Sequence, residues 1–349
     1  MPFPPTLLDV PVREATPGPD LDDKHRAQLD EIKRQFNAEG YTLPTAEGAG
    51  DAVPLSEREM MFLVSEWFVR RSSPAPHTPL TNPTATKTGV HATIERLERC
   101  IVWRRSINIE DIDAMAAQCE DESRWGKNIV QGFTPTGHPI MYFFPSRNQL
   151  PVEKRRAVNA VFLVERAMDL MTDGVTSVYV AFNFGGKRQG PPASVSMAHK
   201  TLHIMSEYYP ETLGLAILQD MPWVVRAFVN LMWPFVDHHT KSKIKFASGK
   251  QTFQEAGIGE DILLTECGGK MALKYDHDMY WPTLIQRCKE CREEHLQRWR
   301  ALGPAQVGRE EREFKIAPAS PTVSLTAPLT PTTKETVANG VDVRTQDVI

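Results

Sequence analysis

The sequence predicts an α/β fold in which a mainly parallel sheet is covered by helices and preceded by an N-terminal helical subdomain. Three observations carry this. First, the runs "PIMYFFP" (139–145), "SVYVAFNF" (177–184), "LGLAIL" (213–218) and "KIKFAS" (243–248) have the length and composition of strands. Second, stretches of helical periodicity separate them, and alternation of strand and helix sets successive strands parallel with helices on the sheet faces. Third, residues 56–125 carry no such runs and read as helix.

Residues 1–54 mix Pro, Gly, Asp and Ala around the helix-compatible stretch "LDDKHRAQLDEIKRQFNAEG", a composition that predicts a disordered or weakly helical extension. The helical subdomain spans 55–125. Ser56, with Glu59 three residues on, is the pattern of a capping box opening "SEREMMFLVSEWFVRR". Prolines make "SSPAPHTPLTNPTATKTG" a loop, with an insertion at 72–84. In "HATIERLERCIVWRR", Ile94, Leu97 and Ile101 fall on one helical face. A third unit covers 126–303. There Ala157, Val161, Val164, Met168 and Met171 recur at three and four, as do Val195, Ala198, Leu202, Met205 and Tyr209. "WPTLIQRCKECREEHLQRWRALG" (281–303) closes the unit as a solvated, packed helix, and residues 304–349, rich in Pro, Thr and Ser, are expected to form a disordered tail.

With 349 residues, 41% of them hydrophobic, the chain can bury a real core. A net charge of -4 gives no polycationic surface, which argues against nucleic acid as a partner. Five scattered cysteines and an N-terminus without a basic, then apolar, leader point to a reducing, cytosolic compartment. No apolar run reaches the ~20 residues that cross a bilayer. The sequence lacks GxxxxGK[ST], a GxGxxG opening a helix, GxSxG and HExxH, so an enzyme reading has little support from residues.

The stretch "DMPWVVRAFVNLMWPFVD" (220–237) sets the functional question. Between Pro222 and Pro234 only Arg226 and Asn230 are polar, while Trp223, Phe228, Leu231, Met232 and Trp233 spread around most of a helix. A core helix on a sheet needs one apolar face, and this one has nearly all of them. It is either a buried core helix or a gate, with one face over an apolar cavity and the other meeting a membrane. A gate suits a lipid carrier. At ~0.8 kcal/mol per buried CH2, two acyl chains carry more than ~20 kcal/mol of transfer free energy and do not cross water uncovered.

Around this helix, "YYPETLG" (208–214), "PFVD" (234–237), "TKSKIKF" (240–246), "ECGGK" (266–270) and "YDHDMYWP" (275–282) stand in an order and spacing that resemble the CRAL-TRIO lipid-binding family. "RLERCIVWRR" (96–105) is similar to the end of the helical segment that precedes that domain. Within the family, the set resembles the fungal secretory-pathway phosphatidylinositol-transfer subgroup, nearest its branch linked to azole tolerance. The resemblance implies a CRAL-TRIO fold and a non-enzymatic carrier of phosphatidylinositol, with a sterol as a second apolar ligand. It further implies no cofactor beyond the bound phospholipid, transient contact with a membrane surface, and a lipid kinase as partner. The location implied is cytoplasmic and peripheral, at endoplasmic reticulum, lipid droplets or the cell periphery. Glu211 and Lys243 match the residues that bind the inositol phospholipid head, with Lys243 near the phosphate; Thr240 adds a hydroxyl and Asp237 accepts from inositol hydroxyls. Read without the resemblance, Glu211 and Lys243 are an ordinary ion pair.

Two departures qualify the match. The family's basic run ahead of "WRR" is interrupted here, leaving Arg70 and Lys87 as its counterparts near the phosphate. In "SVYVAFNF", Val178 and Val180 stand where the founding transfer protein has hydroxyls for choline, which disfavours a choline lipid and leaves volume for a sterol. Tyr179 would ligate a haem iron if it faced the pocket, and Cys288, Cys291 and His295 share a helical face at i, i+3 and i+7, short of a fourth zinc ligand. A sterol or haem carrier, or a scaffold with a vestigial pocket, is the alternative to phosphatidylinositol transfer.

Overall fold

The computed structural model describes residues 8–11, 23–63, 85–151, 157–172, 174–191, 194–236, 238–247 and 249–315. Helix α1 (Asp23–Phe36) leads into an antiparallel pair, β1 (Leu43–Pro44) and β2 (Ala52–Val53), and then α2 (Glu57–Phe62). The Ser56 hydroxyl accepts from the Glu59 N–H and the Glu59 carboxylate accepts from the Ser56 N–H, so α2 opens on the capping box its sequence prescribes. Helices α3 (Ala85–Ser106) and α4 (Ile112–Ser123) follow, the latter capped by Asp111.

Five strands form one sheet in the order β3 (Asn128–Phe133), β4 (Pro139–Phe143), β5 (Val178–Asn183), β6 (Leu213–Gln219), β7 (Ile244–Ala247). β3 pairs antiparallel with β4, and the other neighbours are parallel. Helix α5 (Val158–Asp169) links β4 to β5, and α6 (Val195–Tyr208) links β5 to β6. α7 (Trp223–Met232), a 3-10 turn over Trp233–Phe235 and α8 (His238–Ser242) lead from β6 to β7. α9 (Gln251–Glu255), the long α10 (His277–Ala301) and α11 (Glu311–Phe314) complete the described chain.

The two sheet faces are covered unequally. Partners across a parallel ladder share a face, so Tyr142, Ala181 and Ile217 form one row while Phe143, Phe182, Leu218 and Phe246 form a row on the opposite face. On the first face the Tyr142 hydroxyl donates to the Ile262 carbonyl and the Asn183 amide to the Glu266 carbonyl. That segment brings the buried Phe253, Leu263, Leu264 and Cys267 with it. On the opposite face Phe182 and Leu218 are half-buried and Phe246 is 51% exposed.

Within the 1–54 extension, α1 does more than form a weak helix. Leu29, Ile32 and Phe36 pack with Leu97, Cys100 and Ile101 of α3 and with Val307, and burial of such a face is what makes a polar stretch of this length hold as helix. Past residue 303, Phe314 packs with Met61 and Trp299, so residues 304–315 lie against the body. The 72–84 insertion and residues 316–349 fall outside the described residues.

A buried ionic cluster ties the helices together. Arg104 of α3 binds Glu165 of α5 at 2.7 Å and Glu110 at 2.8 Å, while Asp169 binds Arg292 of α10 at 2.6 Å and Arg166 at 2.8 Å. Burial opposes ionisation of Glu110, but Arg104, Arg292 and Arg58 outweigh it and hold the carboxyl well below its usual range. A cavity of about 80 Å³ opens in this cluster, lined by Arg58, Arg104, Glu165 and His295 as well as by the apolar Phe62 and Met168, and by no residue of α7.

Candidate functional site

Helix α7 answers the question its composition raised. Trp223 is 81% exposed, Leu231 56% and Phe235 58%, with Val224 exposed beside them. On the inner side Val225, Phe228 and Val229 are half-buried and Met232 is buried. The helix is therefore not a buried core element; the turn that follows it meets the less covered sheet face, and its own outer side presents a second apolar face to solvent. Trp233 meets Phe246 of that sheet face at 5.9 Å between ring centroids, and Phe235 meets His199 of α6 edge-on at 5.1 Å. The Lys241 ammonium lies 5.8 Å from the Trp233 ring centre. An exposed patch of large apolar side chains on one element marks a surface that meets an apolar partner.

Glu211 and Lys243 are brought together. Lys243 Nζ donates to Glu211 Oε2 at 2.5 Å, with the lysine side chain mostly buried and the glutamate partly so. Each stands just ahead of its strand, Glu211 before β6 and Lys243 before β7, so the pair occupies the start of the two strands that α7 spans. Glu211 has φ 58°, and the Thr212 N–H donates to the Tyr209 carbonyl at 3.3 Å. With Pro210 second and a positive φ third, this is the pattern of a type II turn, where glycine or asparagine ordinarily stands. The Lys243 N–H donates to the Thr240 carbonyl at 3.1 Å, which sets Thr240 one turn from the ammonium. Asp237 and Arg70 lie outside the described residues, and Lys87 falls within α3 with its side chain outside the description.

Tyr179 and Val180 point to opposite sheet faces. Val180 shares the face of Phe182 and Phe246, which the turn after α7 meets, so its side chain offers that space no hydroxyl. Tyr179 lies on the other face, stacked on His138 at 4.8 Å, opposite to the face that Phe246 and Trp233 share. Burial pushes the Cys291 thiol up to about 12. Burial, with Lys315, Arg58 and Arg298 nearby, brings the His295 imidazole down to about 3. The Cys288 thiol donates to the Arg166 carbonyl, a packing role. Among the described residues no group of three His, Cys, Asp or Glu is placed to hold a metal ion, and no helix is long and apolar enough to cross a membrane.

Sequence reasoning missed the contacts made to the chain just ahead of Glu211. Arg96 and Trp103 of α3 contact residues 206–208 directly; they sit inside "RLERCIVWRR", but nothing in a one-dimensional pattern pairs them with "YYPE".

The CRAL/TRIO domain model matches residues 123–269. A CRAL-TRIO domain-containing protein of Schizosaccharomyces pombe is 29% identical over 273 residues, 78% of this chain and 25% of that protein. The phosphatidylinositol transfer protein PDR17 of Saccharomyces cerevisiae is 28% identical over 315 residues, covering 85% of this chain and 83% of the relative. The crystal structure of Sfh5 aligns with a TM-score of 0.46 at 15% identity, over 79% of this chain and 100% of that one. This chain thus spans a quarter of the length of the first relative and most of the second. The matched residues 123–269 hold the five-stranded sheet, the helix α7 and the Glu211–Lys243 pair, so it is this part of the chain that is similar to the CRAL/TRIO domain, and the chain as a whole is similar to fungal proteins that carry that domain.

Proposed function

We propose that the protein is a lipid-transfer protein, a carrier and not a catalyst, that withdraws phosphatidylinositol from one membrane, encloses it beneath α7 and releases it at another. The observation that carries this reading is the half-covered apolar face of Phe143, Val180, Phe182, Leu218 and Phe246 beside a helix that is apolar inside and out. Acyl chains take that face when α7 swings away, and the outer side chains Trp223, Leu231 and Phe235 meanwhile exchange water for bilayer. Similarity to PDR17, named a phosphatidylinositol transfer protein, over most of its length supports the substrate class.

The headgroup falls to the polar pair at the start of β6 and β7. A buried phosphate monoanion needs a cation and hydrogen-bond donors. A lysine ammonium carries three N–H donors, of which the bond to Glu211 uses one. Lys243 therefore meets the phosphate, Glu211 accepts from inositol hydroxyls while orienting the ammonium, and Thr240 supplies a hydroxyl. The test is organic extraction and mass spectrometry of lipid that co-purifies with the full chain, beside a Glu211→Ala, Lys243→Ala variant. Stoichiometric phosphatidylinositol in the parent, absent from the variant, is expected. A sterol in its place, or phosphatidylinositol retained by the variant, overturns the headgroup assignment.

A further inference from the structure

We infer that one face of α3, built from Arg96, Arg99, Cys100 and Trp103, is a positioning clamp that sets the Glu211 turn and with it the choice of headgroup. The inference rests on the headgroup reading just given and extends it to residues outside the lipid site. These four side chains recur at i, i+3, i+4 and i+7, the spacing of a single helical face, and all four meet the last turn of α6. The Arg96 guanidinium donates to the Ser206 carbonyl at 2.9 Å and twice to the Glu207 carbonyl, at 3.0 and 3.3 Å. Arg99 binds the Glu207 carboxylate at 3.2 Å, and the Cys100 thiol donates to the Tyr208 carbonyl at 3.9 Å. Trp103 stacks on Tyr208 with centroids 4.0 Å apart and planes 2° from parallel, and stands edge-on to Tyr209 at 6.0 Å.

The carbonyls that Arg96 and Cys100 take are among those a helix leaves without partners at its C-terminal end. Satisfying them from α3 fixes where α6 stops. The fixation passes onward through Tyr209, whose hydroxyl donates to Glu165 at 2.8 Å while Arg104 donates to both oxygens of the same carboxylate at 2.7 and 3.1 Å. Tyr209 is the first residue of the turn whose third residue is Glu211. Three non-glycine residues among those described have positive φ, namely Asn108, Glu211 and Asp220. Asparagine and aspartate enter that region readily, whereas glutamate does so against its preference. A strained residue of this kind persists where its surroundings over-determine it, and the α3 face, together with the Arg104–Glu165–Tyr209 chain, is that surrounding. Because these four residues lie on α3, ahead of the matched domain, they act on headgroup choice without themselves touching lipid.

The test uses the full chain loaded from vesicles holding equimolar phosphatidylinositol and phosphatidylcholine, with the ratio of the two lipids captured and the total lipid bound as separate readouts. Arg96→Ala and Trp103→Leu are expected to lower the ratio by roughly fivefold or more while total lipid stays at the parental level, and Trp103→Phe, which restores a stacking ring, to recover most of it. A merely structural role would lower both readouts together. Parental ratios in folded Arg96→Ala and Trp103→Leu overturn the clamp; should Trp103→Leu fail to fold, the half-buried Arg96 decides alone. Glu211→Ala separates the two ideas. If it leaves the ratio unchanged, the headgroup reading falls and the clamp with it; if it lowers the ratio and Arg96→Ala does not, the clamp alone falls.

Discussion

At the scale of single residues, the backbone at Glu211 makes a prediction that contacts alone would reverse. Removing the carboxylate deletes an ion pair to Lys243, yet a partly exposed pair contributes only ~0–1 kcal/mol. Glycine at a positive φ of 58° also relieves a conformational cost of roughly 1 kcal/mol. Glu211→Gly should therefore melt within about 1 kcal/mol of the parent, or above it, while losing phosphatidylinositol. Thermal unfolding and lipid extraction on the same preparation check this. A marked loss of stability would mean that the glutamate serves the fold and not the ligand. The pair itself was legible in sequence only through its flanking motifs, since an isolated Glu and Lys 32 positions apart carry no pattern.

At the scale of elements, the proposed transfer depends on α7. Its outer side chains make few demands on the fold, so Trp223→Ala with Leu231→Ala should change stability by no more than ~0.5 kcal/mol per site. The same variant should lose most vesicle association in a flotation assay. Charge adds a second expectation. Between residues 221 and 247 the sequence carries Arg226, Lys241, Lys243 and Lys245 against Asp237 as the one carboxylate. Association should therefore strengthen on vesicles containing phosphatidylserine and weaken with added salt. Equal binding to neutral and anionic vesicles at all salt concentrations would count against it. The elements were largely readable because period-two and period-3.6 patterns follow directly from backbone geometry. β4 to β7 fall on the four predicted runs, and α7 ends one residue short of the predicted 233 before tightening into a 3-10 turn at Pro234. β3 escaped because Gln131 and Gly132, the latter at φ 71°, interrupt its apolar run. The outward face of α7 was legible as composition but not as placement, which depends on what the sheet leaves uncovered.

At the scale of the whole molecule, the buried charges that join α3, α5 and α10 make stability depend on pH, and the sign follows from each group's shift. His295 takes up its proton near 6.5 when unfolded but is held neutral down to about 3 in the fold, by burial and by Lys315, Arg58 and Arg298, against the opposing pull of Asp169. Between those values the unfolded chain binds the extra proton, so stability falls as pH drops, by up to about 1.4 kcal/mol per pH unit from this group. Glu110 and Asp169 act in the same direction at lower pH. Their carboxyls are held below the usual range by arginines that outweigh burial, so they add stability above the ordinary carboxylate pKa and lose it as pH falls through the folded one. Urea midpoints of the parent should therefore decline from pH 6.5 downward and more steeply below about 4.5. In His295→Leu the decline between 6.5 and 4.5 should flatten, whatever the variant's stability at pH 8, while the steeper fall below 4.5 remains. An unchanged slope between 6.5 and 4.5 would show that the imidazole already carries its proton in the fold. That outcome would place a fourth cation beside Arg58, Arg104 and Lys315 at the cavity, and would make the clustered carboxylates, not burial, the governing influence there.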